Sequence, residues 1–107
     1  MGRRIDLHTI LCNVMKEVTN HAEKHVYFQP PESVKLIYPC ILYRLSADFP
    51  GHADNIKYFG MKRYTVTVID RNPDSVIPDL VAKLPYCRFD RFYAADYLNH
   101  FVYELYY

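Results

Sequence analysis

The stretch Thr65–Pro85, TVTVIDRNPDSVIPDLVAKLP, contains the change of periodicity that decides the fold. Its first half alternates β-branched residues with a period of two, which is typical of a strand. Asn72-Pro73 then directs the chain out of the sheet, and apolar residues return at helical spacing until Pro85. We therefore predict a strand over Lys57–Asp70, a polar corner, and a short amphipathic helix.

The polar residues of this corner allow two interpretations. Asp70 and Asp74, with Asp79 in the helix, could act as a metal site or as acid–base carboxylates. The same residue types form turns and caps, with Asp74 or Ser75 as the N-cap and Pro78 in the first helical turn. Turn chemistry explains each position by itself, so we expect a structural corner there.

The remaining segments complete a predicted order of α-β-β-α-β-β. Residues 3–25 have helical spacing, and residues 34–45 form a strand that Pro39 should place at an edge or interrupt with a bulge. Residues 46–55 form a long loop that can project, and strands follow at 87–93 and 99–107. This order predicts an α+β fold with a mainly antiparallel sheet and two helices packed on one face. We expect one domain, 1–107, with the N-terminal helix at about 3–25 and the sheet and second helix at about 34–107.

Composition disfavours several classes of function. Only three of the 107 residues are glycine, which disfavours a phosphate-binding loop. The net charge of +1 gives no general attraction to nucleic acid or membrane. The three cysteines are widely spaced, which indicates free thiols in a reducing compartment, and no secretory signal is evident.

Two further candidate sites have ordinary structural explanations. His21 and His25 share a helix face at a spacing that can hold zinc, but no third ligand is evident, and a solvated helix end explains them. Cys40 or Cys87 with His100 could form a thiol nucleophile and its base. Both cysteines fall in predicted strands, where buried core thiols are the expected case.

Basic and aromatic residues also alternate in a manner that resembles a surface for single-stranded nucleic acid. Acidic residues lie among them and the total charge is balanced, which disfavours direct nucleic-acid binding. The residues concerned are Arg63, Arg71, Arg88 and Arg91 with Tyr58, Tyr64, Phe89 and Phe92.

The final strand, HFVYELYY, is apolar on nearly both faces. Phe101, Tyr103, Leu105 and Tyr107 share one face, and Val102, Glu104 and Tyr106 share the other. Such a strand needs a cover on each side. A neighbouring subunit can supply the second cover, or the strand can be central with tyrosines that reach water, and the sequence leaves both open.

Several segments together resemble the tail terminator, or tail completion, proteins of long-tailed double-stranded DNA bacteriophages. The resemblance covers about Ile37 to Tyr107, while the preceding helix matches only in character; Tyr97 departs from it, at a position where a small polar residue is expected. The segments that carry it are Tyr38-Pro39-Cys40, Ala53-Asp54-Asn55, the run Tyr64–Ser75, Ile77-Pro78-Asp79, Leu84-Pro85 before Cys87, Phe89-Asp90-Arg91, and Leu98-Asn99-His100.

The resemblance implies a structural virion protein without cofactor or catalytic residues. Such subunits form a ring, expected to be hexameric, on the head-proximal end of the tail tube, where the ring stops tube polymerisation. Its implied partners are the tail tube protein and the head-tail connector or stopper, with DNA passing through the lumen without specific binding. Assembly is implied in the host bacterial cytoplasm, and no membrane is involved.

This resemblance, together with the strand interrupted by Pro39, the projecting loop and the apolar last strand, points to a set of interface residues. Two other hypotheses remain: a different neck component, such as a head-completion or stopper protein, and a small thiol-dependent enzyme. The predicted interface residues are Pro39, Phe49, His52, Asp54, Lys57, Tyr103, Tyr106 and Tyr107.

Overall fold

A computed structural model describes residues 4–17, 24–46 and 62–107. These residues form two helices and five strands in the order α-β-β-β-α-β-β. No helix in the described part of the chain is long and apolar enough to cross a membrane. The elements are α1 (Arg4–Met15), β1 (Val26–Phe28), β2 (Cys40–Leu45), β3 (Arg63–Asp70), α2 (Ile77–Ala82), β4 (Cys87–Ala95) and β5 (Leu98–Tyr106).

The five strands form one sheet in the order β1-β2-β3-β5-β4. β1 pairs with β2 in parallel, and the other three pairings are antiparallel. The predicted α+β class and the mainly antiparallel sheet are thus confirmed. β3 lies at the centre, so both of its edges are hydrogen-bonded to neighbouring strands.

One hydrophobic core joins both helices to one face of this sheet. Leu7, Leu11 and Met15 of α1 recur at helical spacing and are buried, and Ile77 and Val81 do the same for α2. The sheet contributes alternate residues, as the period of two requires. Its core residues are Val26, Ile41, Tyr43, Tyr64, Val66, Val68, Tyr103 and Leu105.

The N-terminal helix is shorter than the sequence predicts. α1 ends at Met15, Lys16 and Glu17 form a turn, and β1 begins at Val26. The prediction of one helix over 3–25 is therefore wrong at its C-terminal end. The sequence does not indicate β1, because its three residues are too few to show a period and its pairing with β2 joins residues 15 apart in the chain.

Pro39 has a different role from the one predicted for it. The strand begins only at Cys40, because proline lacks the N–H that a sheet ladder needs. The prediction of a strand over 34–45 that lies at an edge or bulges is thus wrong in its start and its place, since β1 and β3 flank β2 on both sides. The residues from 34 to 39 are irregular.

The corner after β3 is held by side-chain to backbone hydrogen bonds. Asp70 Oδ1 accepts from the Asn72 N–H at 3.0 Å, and Asn72 Oδ1 accepts from the Asp74 N–H at 3.0 Å. From β5, Asn99 Nδ2 donates to the backbone carbonyls of Asp70 at 3.2 Å and of Arg71 at 3.3 Å. Short polar side chains that bond two residues onward are a known turn device.

The predicted helix cap takes another form. The residue before α2 is Val76, which makes no side-chain cap. Ser75 Oγ instead accepts from the Ile77 N–H at 3.3 Å. The prediction that Asp74 or Ser75 is the N-cap residue is wrong, whereas Pro78 does lie in the first turn as predicted.

Candidate interaction surface on strand β4

β4 is an edge strand whose side chains are nearly all exposed. It pairs with β5 on one side, and no described strand pairs with its other edge. Every residue from Arg88 to Ala95 is exposed, and only Cys87 is half-buried. A long edge strand offers a row of backbone N–H and C=O groups to another chain. β4 is therefore the main candidate for an interaction surface in the described part of the chain.

A β-bulge in the middle of β4 decides which side chains share a face. Phe89 pairs with Tyr103 and Arg91 pairs with Val102, so Asp90 is the extra residue. Phe89 and Phe92 are three apart and would lie on opposite faces of a regular strand. The extra residue restores them to one face, which we call the aromatic face of β4.

The aromatic face lies on the same side of the sheet as the helices. Phe89 meets the core residue Tyr103 edge-on, with ring centroids 5.6 Å apart, and Phe92 packs on Phe101 at 5.0 Å. These contacts cover only part of each ring, so Phe89 stays 53% exposed and Phe92 50% exposed. Aromatic residues that keep this much exposure are enriched in protein interfaces.

The opposite face of β4 is polar, and its charges are paired. Arg88 donates to Glu104 at 2.9 Å, and Arg91 donates to the neighbouring Asp90 at 3.1 Å. Tyr93 stacks on His100 with ring centroids 4.5 Å apart. Exposed ion pairs contribute little to stability, so their main effect here is to orient the arginines along the strand.

The hairpin ends in a two-residue turn formed by Asp96 and Tyr97. Both residues have positive φ, 54° and 64°, as the turns that match the twist of a β-hairpin require. Tyr97 is 98% exposed at the tip. The position where the sequence departs from the expected small polar residue is thus one that favours glycine or asparagine.

The predicted interface residues fall into three groups. Phe49, His52, Asp54 and Lys57 lie outside the described residues. Pro39 is half-buried, and its carbonyl accepts a hydrogen bond from His25 Nδ1 at 2.7 Å.

The tyrosines of the last strand form the third group. Tyr103 is 4% exposed and its hydroxyl donates to the Pro78 carbonyl at 3.0 Å, so it belongs to the subunit core. Tyr106 and Tyr107 are half-buried at the end of β5. The backbone of Tyr107 pairs in both directions with Lys62.

The cysteines and His100 do not come together. Cys87 lies opposite Leu105 on the core side of β5, whereas His100 lies five residues away on the other face. Cys40 shares a face with His100, but Ile69 separates them in the same row of the sheet. Burial raises the pKa of Cys87 to about 11 and that of Cys40 to about 12, which disfavours the reactive thiolate form.

The carboxylates and histidines form no metal centre in the described part of the chain. Asp70 is held in the corner hydrogen bonds, and Asp74 and Asp79 are exposed. No group of three or more His, Cys, Asp or Glu side chains that could hold a metal ion occurs among residues 4–17, 24–46 and 62–107. His21 lies outside these residues, while His25 makes the hydrogen bond to Pro39.

The basic and aromatic residues are separated rather than interleaved. Arg88 and Arg91 lie on the polar face of β4, whereas Phe89 and Phe92 lie on its aromatic face. Tyr64 is buried in the core. Tyr58 lies outside the described residues, and the remaining residues of this set offer no row of rings with alternating cations.

The interface residues predicted from the sequence do not include the exposed aromatic side chains of β4. The segment CRFDRFYAA does carry a sign of an exposed strand, because aromatic and charged residues share a short run without the strong apolar period of a core strand. An alternating pattern reads as one buried and one wet face. The bulge, which the sequence does not mark, places both phenylalanines on one face.

Comparison of the chain with protein-family models, with curated proteins and with solved structures finds no match.

Proposed function

We propose that the chain is a structural assembly protein that works by contact with other protein subunits. The observation that carries this proposal is the exposed aromatic edge strand β4. Its outer edge has no described partner, and Phe89 and Phe92 are half exposed there. Burying such side chains against another subunit removes apolar surface from water, which favours association. Hydrogen bonds along the strand edge then give the contact its direction.

Within this class we propose a tail terminator of a long-tailed bacteriophage. The sequence resemblance over Ile37–Tyr107 supports this role. The proposed subunits form a ring, hexameric by the resemblance, at the head-proximal end of the tail tube in the virion. The ring stops the polymerisation of tube protein, joins the connector or stopper, and lets DNA pass through its lumen. It assembles in the cytoplasm of the host bacterium.

A closed ring needs a heterologous contact, in which two different patches of the subunit meet and the rotation between neighbours closes. β4 supplies one long patch at one end of the sheet. The near-neutral charge suits a channel through which DNA slides, since a strongly basic lumen would bind phosphates.

The runner-up role is a head-completion or stopper protein of the same neck. A β-barrel would have favoured a stopper. The chain instead has an open sheet with helices on one face, which supports the terminator over the stopper. The small-enzyme hypothesis gains no support from Cys87 and His100, since they lie on opposite faces of the sheet.

The test is the mass of the purified protein by light scattering, alone and with its tail-tube protein, followed by electron microscopy of tube lengths. We expect rings that form at least in the presence of tube, and tubes that stop growing at a defined length. A protein that leaves both the mass and the length of tubes unchanged would contradict the proposal.

A pair of matched variants tests whether β4 is the contact. Phe89→Ser with Phe92→Ser should abolish the ring. Ile5→Ser with Ile37→Ser removes two other exposed apolar side chains away from β4 and should leave ring formation intact. Equal loss in both double variants would show that exposed apolar area in general, and not β4, drives assembly.

A further inference from the structure

We infer that the free subunit pairs with a second copy of itself through β4, in an antiparallel register about a two-fold axis between Asp90 and Arg91. The inference goes beyond the ring role and does not depend on it, because it concerns the purified subunit before any assembly. It rests on the residues of one edge strand, Arg88 to Tyr93, whose order is RFDRFY.

The register follows from the order of residues on the two faces. In an antiparallel pair about this axis, Asp90 lies opposite Arg91 of the second copy, Phe89 opposite Phe92, and Arg88 opposite Tyr93. Paired residues must point to the same side of a sheet. A regular strand would fail this condition. Phe89 and Phe92 are three residues apart and Arg88 and Tyr93 five apart, and residues an odd number apart in a regular strand point to opposite faces.

The bulge at Asp90 makes the condition hold. Phe89 and Phe92 both lie on the aromatic face, as their contacts with Tyr103 and Phe101 show. Arg88 and Tyr93 both lie on the polar face, opposite Glu104 and His100. Each of these four side chains therefore meets one on the same face of the second copy.

The pairs that result are chemically complementary. Phe89 of each copy meets Phe92 of the other, so two exposed aromatic pairs are covered. Arg88 of each copy meets the ring of Tyr93 of the other, which a guanidinium can stack on. The exposed rings of Phe89 and Phe92, together with Arg88, thus all gain a partner in the second copy.

The charges at the axis complete the match. Arg91 and Asp90 already pair within one copy at 3.1 Å, and their side chains are 64% and 36% exposed. About the two-fold axis the four charges of two copies alternate in sign. Charged side chains and β-bulges usually protect an edge strand from pairing, whereas the charges of this bulged strand alternate in sign and attract a second copy.

Head-to-tail extension of the sheet is the competing arrangement, and β4 fits it less well. The strand at the other end of the sheet, β1, has only three residues, against nine in β4. A contact between β4 and β1 of the next copy would leave most of β4 unpaired. Pairing of β4 with itself uses its whole central run.

The same edge cannot serve the two-fold pair and a ring contact at once. If both the dimer and the proposed ring exist, the dimer must separate before β4 enters the ring. Their tests are separate, because the dimer is measured on the pure protein and the ring with tube protein. A dimer that fails to form leaves the ring proposal intact, and the reverse also holds.

The test uses charge reversal and mixing, measured as mass by light scattering or sedimentation at matched concentrations. The wild-type chain of 12.7 kDa should have twice that mass. Asp90→Arg places two arginines at each axis position and Arg91→Asp places two aspartates, so each variant alone should be monomeric. Mixed in equal amounts, they should form a heterodimer, since every arginine then faces an aspartate.

The mixing step separates this pairing from the ion pair within one chain, which mixing cannot restore. The double variant Asp90→Arg with Arg91→Asp should dimerise by itself. Glu32→Arg, an exposed charge change outside β4, should leave the wild-type mass unchanged. Circular dichroism establishes that each variant is folded. A monomeric wild type, single variants that still dimerise, or a mixture that stays monomeric would each overturn the inference.

Discussion

The hydroxyl of Tyr103 on β5 donates to the backbone carbonyl of Pro78 in α2 at a distance of 3.0 Å, and this hydrogen bond is buried. It joins the second helix to the sheet at a point where Val81 and Ile77 supply only apolar contact. Burial raises the pKa of Tyr103, so the neutral hydroxyl that donates this bond is the form present at neutral pH. Tyr103 thus stabilises the subunit itself.

We predict that Tyr103→Phe lowers the free energy of unfolding by about 1 kcal/mol, the usual net value of one buried hydrogen bond. The ring stays in place, so the packing against Phe89 is kept. Urea unfolding measures the change, and Tyr97→Phe is the control because that ring is 98% exposed. Equal effects of the two substitutions would show that the hydroxyl bond to Pro78 adds nothing.

A second prediction concerns the pH dependence that arises at His8. Arg4 donates to the Tyr43 oxygen at 3.2 Å, and Tyr43 lies 2.7 Å from His8 Nδ1. Arg4 has no acceptor, so the Tyr43 O–H is free to donate to Nδ1 of a neutral His8. Burial, and then the charge of Arg4, lower the pKa of His8 below its ordinary value of 6.5.

The sign of the effect follows from that direction. Below pH 6.5 the unfolded chain binds a proton at His8 more readily than the folded chain does, so stability falls as pH falls through this range. We expect urea unfolding at pH 7.5, 6.5 and 5.5 to show this loss. In His8→Gln, which stays neutral and can still accept from Tyr43, the loss should be smaller. A variant with the same pH profile as the wild type would contradict the prediction.

The sequence predicts β3, the corner and α2 well because their signals are local. The alternation from Tyr64 to Ile69 and the Asn72-Pro73 break lie in one continuous stretch. β3 has the predicted period of two, with Tyr64, Val66 and Val68 on the core side. The N-cap differs, since it is Val76 rather than Asp74 or Ser75, and its position depends on backbone angles that composition does not determine.

The features that define β4 as a surface depend on pairing between strands rather than on the local sequence. The bulge at Asp90 exists only relative to the pairing with β5, and β1 only relative to β2. The last strand shows the same limit. The sequence groups Phe101, Tyr103 and Leu105 on one face, but only the packing of the helices shows that this face is the core.

A third prediction follows from the hairpin turn. Tyr97 has φ of 64°, where a side chain crowds the backbone, and it is too exposed to gain from packing. Tyr97→Gly should raise the free energy of unfolding by about 0.5–1 kcal/mol, the relief of a left-handed residue less the entropy cost of glycine. Thermal unfolding measures it. Tyr97→Ala keeps the crowding and should give no such gain, so equal melting temperatures for both variants would contradict this account.

The last prediction compares how much the side chains of Asn99 and Asp74 contribute to the stability of the corner. Asn99 Nδ2 bridges the carbonyls of Asp70 and Arg71 across to β5, so Asn99→Ala should lower the free energy of unfolding by about 1 kcal/mol. Asp74 contributes only its backbone N–H to the corner, and its side chain is exposed. Asp74→Ala should therefore stay within about 0.5 kcal/mol of the wild type, as substitutions at featureless surface sites do. If urea unfolding gives the larger loss for Asp74→Ala, the corner is held by the carboxylate and the bridge from β5 is secondary.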